Sequence, residues 1–415
     1  MNLHNYLTNY IFQEDNRVSL FGDSKKITRS ESIIMDNAKI PKFINEFWTS
    51  KQRQASSLHE VTYRACFKPQ LPRFFITLLT KKDDIVYDPF SGRGTTAIET
   101  ALLGRNIIAN DINPLSEILA YPRFFIPKID AVMERLEKIQ TLKKVSSETD
   151  LSMFYHPQTL LEIISLKKYL SNRKKNKKED HIDSWIRMVA TNRLTGHSKG
   201  FFSVYTLPPN QAVLPARQLL INKKMNQIPD YRNVKKIILK KTKDLLRDIS
   251  DEQKIELIKR GGKALFISRD ARCTTGIKSS SVSLVITSPP FLDIVKYSDD
   301  NWLRCWFNEI DAKNIEKKIT MSKTVENWSS VMGDVFKELY RIVKKGGWVA
   351  FEVGEVKNGK IKLEEHVIPL GSYAGFSIEA IMINEQIFTK TSNIWGIKNN
   401  SKGTNSNRIV LFRKE

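Results

Sequence analysis

The chain has 415 residues, 67 Lys and Arg against 45 Asp and Glu, a formal net charge of +22 and 41% hydrophobic residues. That length suits one large domain with an insertion, or two domains; the charge points to a polyanion, nucleic acid first, with a Lys-rich composition as the plain alternative. Three scattered cysteines, Cys66, Cys273 and Cys305, exclude a disulfide scaffold and an all-cysteine zinc site, no apolar run could span a bilayer, and the first 16 residues are unlike a signal peptide, so a cytoplasmic protein is expected.

No internal repeat is visible. Residues 1–56 are mixed and polar, with an aromatic stretch at 43–48. Leu71, Phe74, Phe75, Leu78 and Leu79 recur at helical spacing and predict a helix from Pro72. Ile85-Val86-Tyr87 reads as a short buried strand, 95–103 as a helix closed by Gly104, and 106–109 as the next strand. Strand, helix, strand within about 25 residues is a βαβ unit with a parallel pair. The stretch 131–263 is basic; its run Arg173–Lys178 reads as a mobile solvated loop that adds nonspecific DNA affinity. Strands follow at 264–268 and 283–287. Trp328, Val331, Val335, Leu339 and Ile342 mark an amphipathic helix, which Gly346-Gly347 should end. Strands at 348–353 and 409–412 complete an α/β pattern interrupted by a basic insertion.

Two loops carry the chemistry. The first is Asp88-Pro89-Phe90-Ser91-Gly92-Arg93-Gly94-Thr95-Thr96, between a strand and its helix. Its glycines permit a tight turn and close approach of a ligand to the backbone, and the helix start offers free N–H groups. It is neither the dinucleotide pattern nor a P-loop. Asp111, at the tip of the next strand, is placed to take a ribose diol, or else to cap a turn. The second loop is Thr287-Ser288-Pro289-Pro290-Phe291, a buried strand entering a rigid turn. Two prolines fix φ and remove two donors, so the carbonyls of Ser288 and Pro289 are free to accept from an exocyclic amine while Phe291 stacks on its base. Hydrogen bonds that draw on the N–H protons make a conjugated amine a better nucleophile. A rigid turn with a packed phenylalanine is the purely structural alternative. Carbon-5 methylation of cytosine needs a cysteine, usually after proline; here the cysteines follow Ala65, Arg272 and Arg304.

These two loops resemble the motifs of the amino-DNA methyltransferases, and Ser-Pro-Pro-Phe is similar to the cytosine-N4 branch; the adenine-N6 branch more often has Asp or Asn at the place of Ser288. The resemblance covers 47–114 and 264–414. It implies a Rossmann-like methyltransferase sheet and S-adenosylmethionine as cofactor. Asp88, Gly92 and Gly94 would hold its methionine end and Asp111 its ribose, with Pro89, Phe90, Thr95, Thr96 and Ile112 around them and Lys68 and Pro69 on the flanking segment. Asp270, where relatives place an acid on the cofactor adenine, is a further candidate or a surface turn acid. Arg93 departs from the pattern, which has a small residue more often. The order of blocks is a permuted one: an N-terminal catalytic part with the cofactor loop (1–130), a target-recognition insertion (131–263) and a C-terminal part with the catalytic loop (264–415).

The expected function is site-specific methylation of cytosine N4 in double-stranded DNA, with the target base flipped into the Ser288–Phe291 pocket. Adenine N6 is the first alternative. An RNA or protein-glutamine methyltransferase and an inactive DNA-binding or specificity subunit are the others. In the insertion, Arg193, His197, Asn210 and Gln211 could read base edges and Lys199 and Arg217 could meet phosphates, or each could be a plain surface residue. No metal is expected, since His197 has no paired histidine. A cognate restriction endonuclease fits the reading without being physically implied, and the protein would sit on the nucleoid when bound to DNA.

Overall fold

The computed structural model describes residues 2–12, 27–35, 38–49, 55–64, 66–144, 149–207, 212–290, 297–319, 322, 324–356, 361–385 and 406–415. It begins with α1 (Leu3–Thr8) and a hairpin of β1 (Arg29–Met35) and β2 (Ala38–Asn45). The sequence reading placed no strand there, because β1 is exposed along most of its length and shows no apolar alternation. Next come α2 (Gln70–Leu79), β3 (Ile85–Asp88), α3 (Thr95–Leu102) and β4 (Asn106–Asn110), with β3 and β4 parallel as expected. α2 starts two residues before Pro72; a proline in the first helical turn loses no intrahelical bond.

Among the described residues, seven α-helices then lie between β4 and β5 (Leu265–Ile267): α4 (Leu115–Ala120), α5 (Ile129–Lys138), α6 (Pro157–Lys175), α7 (His181–Arg193), α8 (Pro215–Met225), α9 (Val234–Leu245) and α10 (Asp251–Gly261). β6 (Val282–Thr287), α11 (Tyr297–Asn308), α12 (Ala312–Lys318), α13 (Val325–Ile342), β7 (Val343–Val353), the short pair β8 (Glu355–Val356) and β9 (Ile361–Lys362), α14 (Leu363–Ala374), β10 (Ser377–Glu385) and β11 (Ser406–Arg413) complete the chain.

The main sheet has the order β1-β2-β10-β11-β7-β6-β3-β4-β5. Its right half, β7-β6-β3-β4-β5, is wholly parallel, and β11 runs antiparallel to β7. From β3 the chain steps outward to β4 and β5, then crosses back to β6 on the other side of β3. The direction of winding therefore reverses between β3 and β6, and a crevice opens there at the carboxyl ends of the strands. The molecule is an α/β protein with a mostly parallel sheet. α1 and α2 cover one face, packing Leu71, Phe75 and Ile76 on Leu284, Ile286 and Met382. α13 and α14 cover the other with Val335, Phe336 and Val367 against Val285, Val349 and Phe351. The helices after β4 share one core with α3 and β4, including Ala97, Ile98, Ile107 and Trp185. No helix among the described residues is long and apolar enough to cross a membrane.

Two expectations need correction. Arg173 to Lys175 are not a solvated loop; they are the last turn of α6, and Arg173 joins Arg135 on the buried carboxylate of Asp183. A buried charge needs such partners, so part of the basic run is structural. Nor does Gly346-Gly347 end α13. The helix stops at Ile342 and β7 starts at once, with the glycines in a bulge where the pairing jumps from Val282–Val343 to Leu284–Trp348. Gly346 there has φ +74°, which glycine adopts without strain.

Gly94 sits at the start of α3 with φ +77°, and a Cβ at that position would stand 2.4 Å from the Cβ of Ala120. Gly94→Ala is expected to lower the unfolding free energy by about 2–4 kcal/mol through strain and overpacking. Urea unfolding measures it, and an unchanged midpoint would contradict the close approach of α3 to α4.

Candidate active site

A cavity of about 160 Å³ lies at the carboxyl ends of β3, β4, β5 and β6. The sheet brings both loops to it: Asp88, Pro89, Phe90, Gly92 and Thr95 from the first, Asp111 and Ile112 after β4, Asp270 after β5, and Ser288, Pro289 and Pro290 after β6 all line it. Phe291, Asn210 and Gln211 lie outside the described residues.

Asp88 is 2% exposed. Its Oδ1 accepts from Thr287 Oγ1 at 2.7 Å and from the Phe90 amide at 3.1 Å, and its Oδ2 accepts from Thr96 Oγ1 at 2.7 Å. Thr96 thus acts on Asp88 and does not face the cavity. Gly92 has φ +53°, and its amide donates to Asp111 Oδ2 at 2.8 Å. The Asn113 amide donates to Asp111 Oδ1 at 2.9 Å. Burial raises both acids to about 6; for Asp88 the bonds from Thr287, Thr96 and Phe90 act against it, and for Asp111 those from Asn113 and Gly92. Ser91, between them, has a buried hydroxyl with no hydrogen-bond partner among the described residues, and it lines the cavity.

Other placements differ from the sequence reading. Gly94 packs on Ala120 and does not line the cavity. Lys68 and Pro69 stay outside the lining, where Cys66 and Phe67 stand instead, because Pro69 leads into α2. Asp270 reaches the cavity, but its carboxylate is bonded to Arg272, which holds it below the usual aspartate range. Arg93 turns away, donating to the carbonyls of His59 and Val61 at 3.2 and 2.8 Å. Arg193, expected to read bases, is 8% exposed; its guanidinium lies 3.9 Å from the Phe201 ring centroid and bonds Asn192. A planar cation packed over an aromatic face and nearly buried presents little edge to a base. His197, Lys199 and Arg217 are exposed.

Two residues that the sequence reading did not assign to the site shape it. Asn110 clamps three strand tips: its Nδ2 donates to the carbonyls of Pro89 and Arg269, and its Oδ1 accepts from the Arg269 amide at 3.0 Å. Its place beside Asp111 was the one available signal. Trp328 of α13 donates from Nε1 to the Pro290 carbonyl at 3.0 Å and walls the cavity. In sequence it is indistinguishable from an apolar helix residue.

The donor set fits S-adenosylmethionine. Each oxygen of Asp111 has capacity beyond the one amide it accepts, as a ribose diol requires. The unpartnered Ser91 hydroxyl and the tight Gly92 turn suit a polar amino-acid moiety, and Phe90, Ile112, Val331 and Met332 supply apolar wall.

The family model N6_N4_Mtase, described as DNA methylase, matches residues 9–119. The chain is 23% identical over 322 residues to the Type II methyltransferase M.BsoBI of Geobacillus stearothermophilus, covering 68% of this chain and 60% of that one. It is 29% identical over 147 residues to the Type II methyltransferase M.MjaII of Methanocaldococcus jannaschii, covering 34% and 27%. The match therefore spans less than two thirds of either relative. Among solved structures it is similar to a SAM-dependent methyltransferase of Methanosarcina mazei (10% identity, 82% of this chain, 96% of that one, TM-score 0.32). An rRNA methyltransferase of Streptomyces viridochromogenes is a second (11%, 89%, 94%, TM-score 0.35).

Asp111→Asn removes a buried acid whose proton affinity is raised in the fold. A raised carboxyl binds protons more tightly folded than unfolded, so its contribution to stability falls as pH climbs from about 4 to about 6 and is level above. Without cofactor, the stability of the variant relative to the parent is expected to rise by about 2–3 kcal/mol between pH 4 and pH 7. Urea unfolding at four pH values reads it; a difference that shrinks with pH would overturn the assignment of Asp111 as a buried acid with raised proton affinity.

Proposed function

We propose that this chain, whose residues 9–119 match a DNA methylase family model, is an amino-DNA methyltransferase that transfers a methyl group from S-adenosylmethionine to cytosine N4 in duplex DNA. The supporting observation is that the cofactor loop and the Ser288-Pro289-Pro290 turn open into one cavity at the reversal of the sheet, joined there through Asp88. Type II methyltransferases among the similar proteins support a DNA substrate.

Bound at Asp111, Gly92 and Ser91, the cofactor supplies an electrophilic methyl group. The rest falls to the chain's own residues. Trp328 fixes the turn by holding the Pro290 carbonyl. The prolines keep the Ser288 and Pro289 carbonyls free of local donors, so they accept the N–H protons of the target amine and favour a tetrahedral nitrogen. Phe291 stacks on the flipped base. Attack is direct, with no covalent enzyme intermediate. The preference for cytosine rests on Ser288, where an acid or amide is commoner at adenine sites. The +22 charge and the exposed His197, Lys199 and Arg217 support contact with the duplex. A role as the modification partner of a separate nuclease fits the same reading without being physically implied.

Incubation with labelled S-adenosylmethionine and duplex DNA, followed by nucleoside mass spectrometry, should yield N4-methylcytosine. N6-methyladenine alone would overturn the base choice, and no methylated nucleoside would favour a DNA-binding subunit. DNA affinity should fall with salt at a log-log slope of about −0.9 per phosphate contacted. A flat dependence would mean that the charge is compositional.

A further inference from the structure

Glu352 is a buried acid that the reaction described above does not use. It lies near the carboxyl end of β7, beside β6. Thr287 pairs with Phe351, so Ser288 and Glu352 are the next residues along the two parallel strands. Glu352 is 7% exposed. On its other side β11 pairs Ile409 with Glu352, and Asn407 donates from Nδ2 to Glu352 Oε1. Ser288 stands beside the carboxylate in the adjacent strand register and lowers its proton affinity, and it lines the cavity where the target amine would sit.

We propose that Glu352 acts on the target amine through Ser288, taking up the proton that the amine must lose. This rests on the methyl-transfer reading above. After the nitrogen has formed its new bond to carbon it carries one proton too many. Its N–H bond breaks with the electron pair left on nitrogen, and the proton passes to Ser288 Oγ as the Ser288 O–H proton passes to Glu352. Glu352 then stands as a neutral acid and gives its proton to water. A serine alone cannot do this near neutral pH, because an alkoxide is too basic; a carboxylate behind it can.

The surroundings suit the task. Burial pushes Glu352 up to about 7, and Asn407 and the neighbouring Ser288 act in the other direction. The charged groups on neighbouring elements are engaged elsewhere. Arg408 on β11 pairs with Glu364 of α14, and Asp88 on β3 is held by Thr287 and Thr96. An asparagine with glutamine would fasten β7 to β11 equally well, without the cost of burying an acid. The acid is therefore placed for proton transfer and not for fastening.

The test uses the full chain with duplex DNA and S-adenosylmethionine. Glu352→Gln should lower kcat at least about tenfold with the cofactor KM within about twofold. The parent rate should rise with pH through a limb near 7, since the ionised carboxylate is the active form. That limb should vanish in Glu352→Gln and return in Glu352→Asp. Independently, carbon-13 NMR of labelled glutamate in the chain without substrates should show one carboxyl titrating near 7, lost in Glu352→Gln and moved upward in Ser288→Ala. A Gln variant that keeps both the parent rate and the limb would overturn the proposal. So would a titration indifferent to Ser288→Ala, a readout that holds even if the parent methylates no DNA.

Discussion

Asp88 is where the two halves of the site meet. Its carboxylate accepts from Thr96, 8 residues on, and from Thr287, 199 residues on. Thr287 is the last residue of β6, and Ser288 follows it directly. The Asp88–Thr96 loop and the Ser288-Pro289-Pro290 turn are thus anchored on one buried group, and neither can shift by itself. The anchor has a cost. Burial pushes Asp88 up to about 6, so at neutral pH its charge is kept only by the three bonds it accepts. Asp111 sits in the same condition beside it, held by two amides. Both strands bring their acids to the point where a parallel sheet reverses its winding, the natural place for a ligand and an unfavourable one for unsolvated charge.

The outer side of the cofactor loop is held by guanidinium groups turned into the core. Arg93 ties the loop to the carbonyls of His59 and Val61. Arg123, 0% exposed, donates to the carbonyls of Leu58, Leu119 and Arg93. Five donors in a rigid fork let one side chain satisfy several loop carbonyls at once. The departure at position 93 therefore has a local cause: the arginine replaces nothing in the cavity and staples the loop to the segment before α2. The same economy recurs in the helical region, where Arg135 and Arg173 both serve Asp183. A share of the chain's positive charge is spent inside the molecule in this way.

Some elements were plain in the sequence and others were not. β3, α3, β4, β6 and α13 announced themselves through short apolar runs, a helical period and glycine stops, and the structure has them within a few residues. The hairpin β1–β2 did not, because an edge pair exposes most of one strand and loses its alternation. The glycine pair after α13 looked like a helix terminator because a bulge and a helix stop use the same residue. Arg193 looked like a surface base reader because polarity in sequence carries no depth; only the packing of α7 shows it beneath Phe201.

The sequence by itself determined the α/β class, the glycine turn after β3, the acid at the next strand tip and the proline turn, because each is a local pattern with a local cause. Tertiary structure alone decided which of these residues share a cavity. It set Gly94 and Thr96 to packing and anchoring, placed Cys66 and Phe67 where Lys68 and Pro69 were expected, and brought Asn110, Trp328 and Glu352 to the site. Those assignments depend on strand order and helix docking. Residues such as Asp88 and Thr287 become neighbours only when β6 crosses back beside β3, and no spacing along the chain records that step.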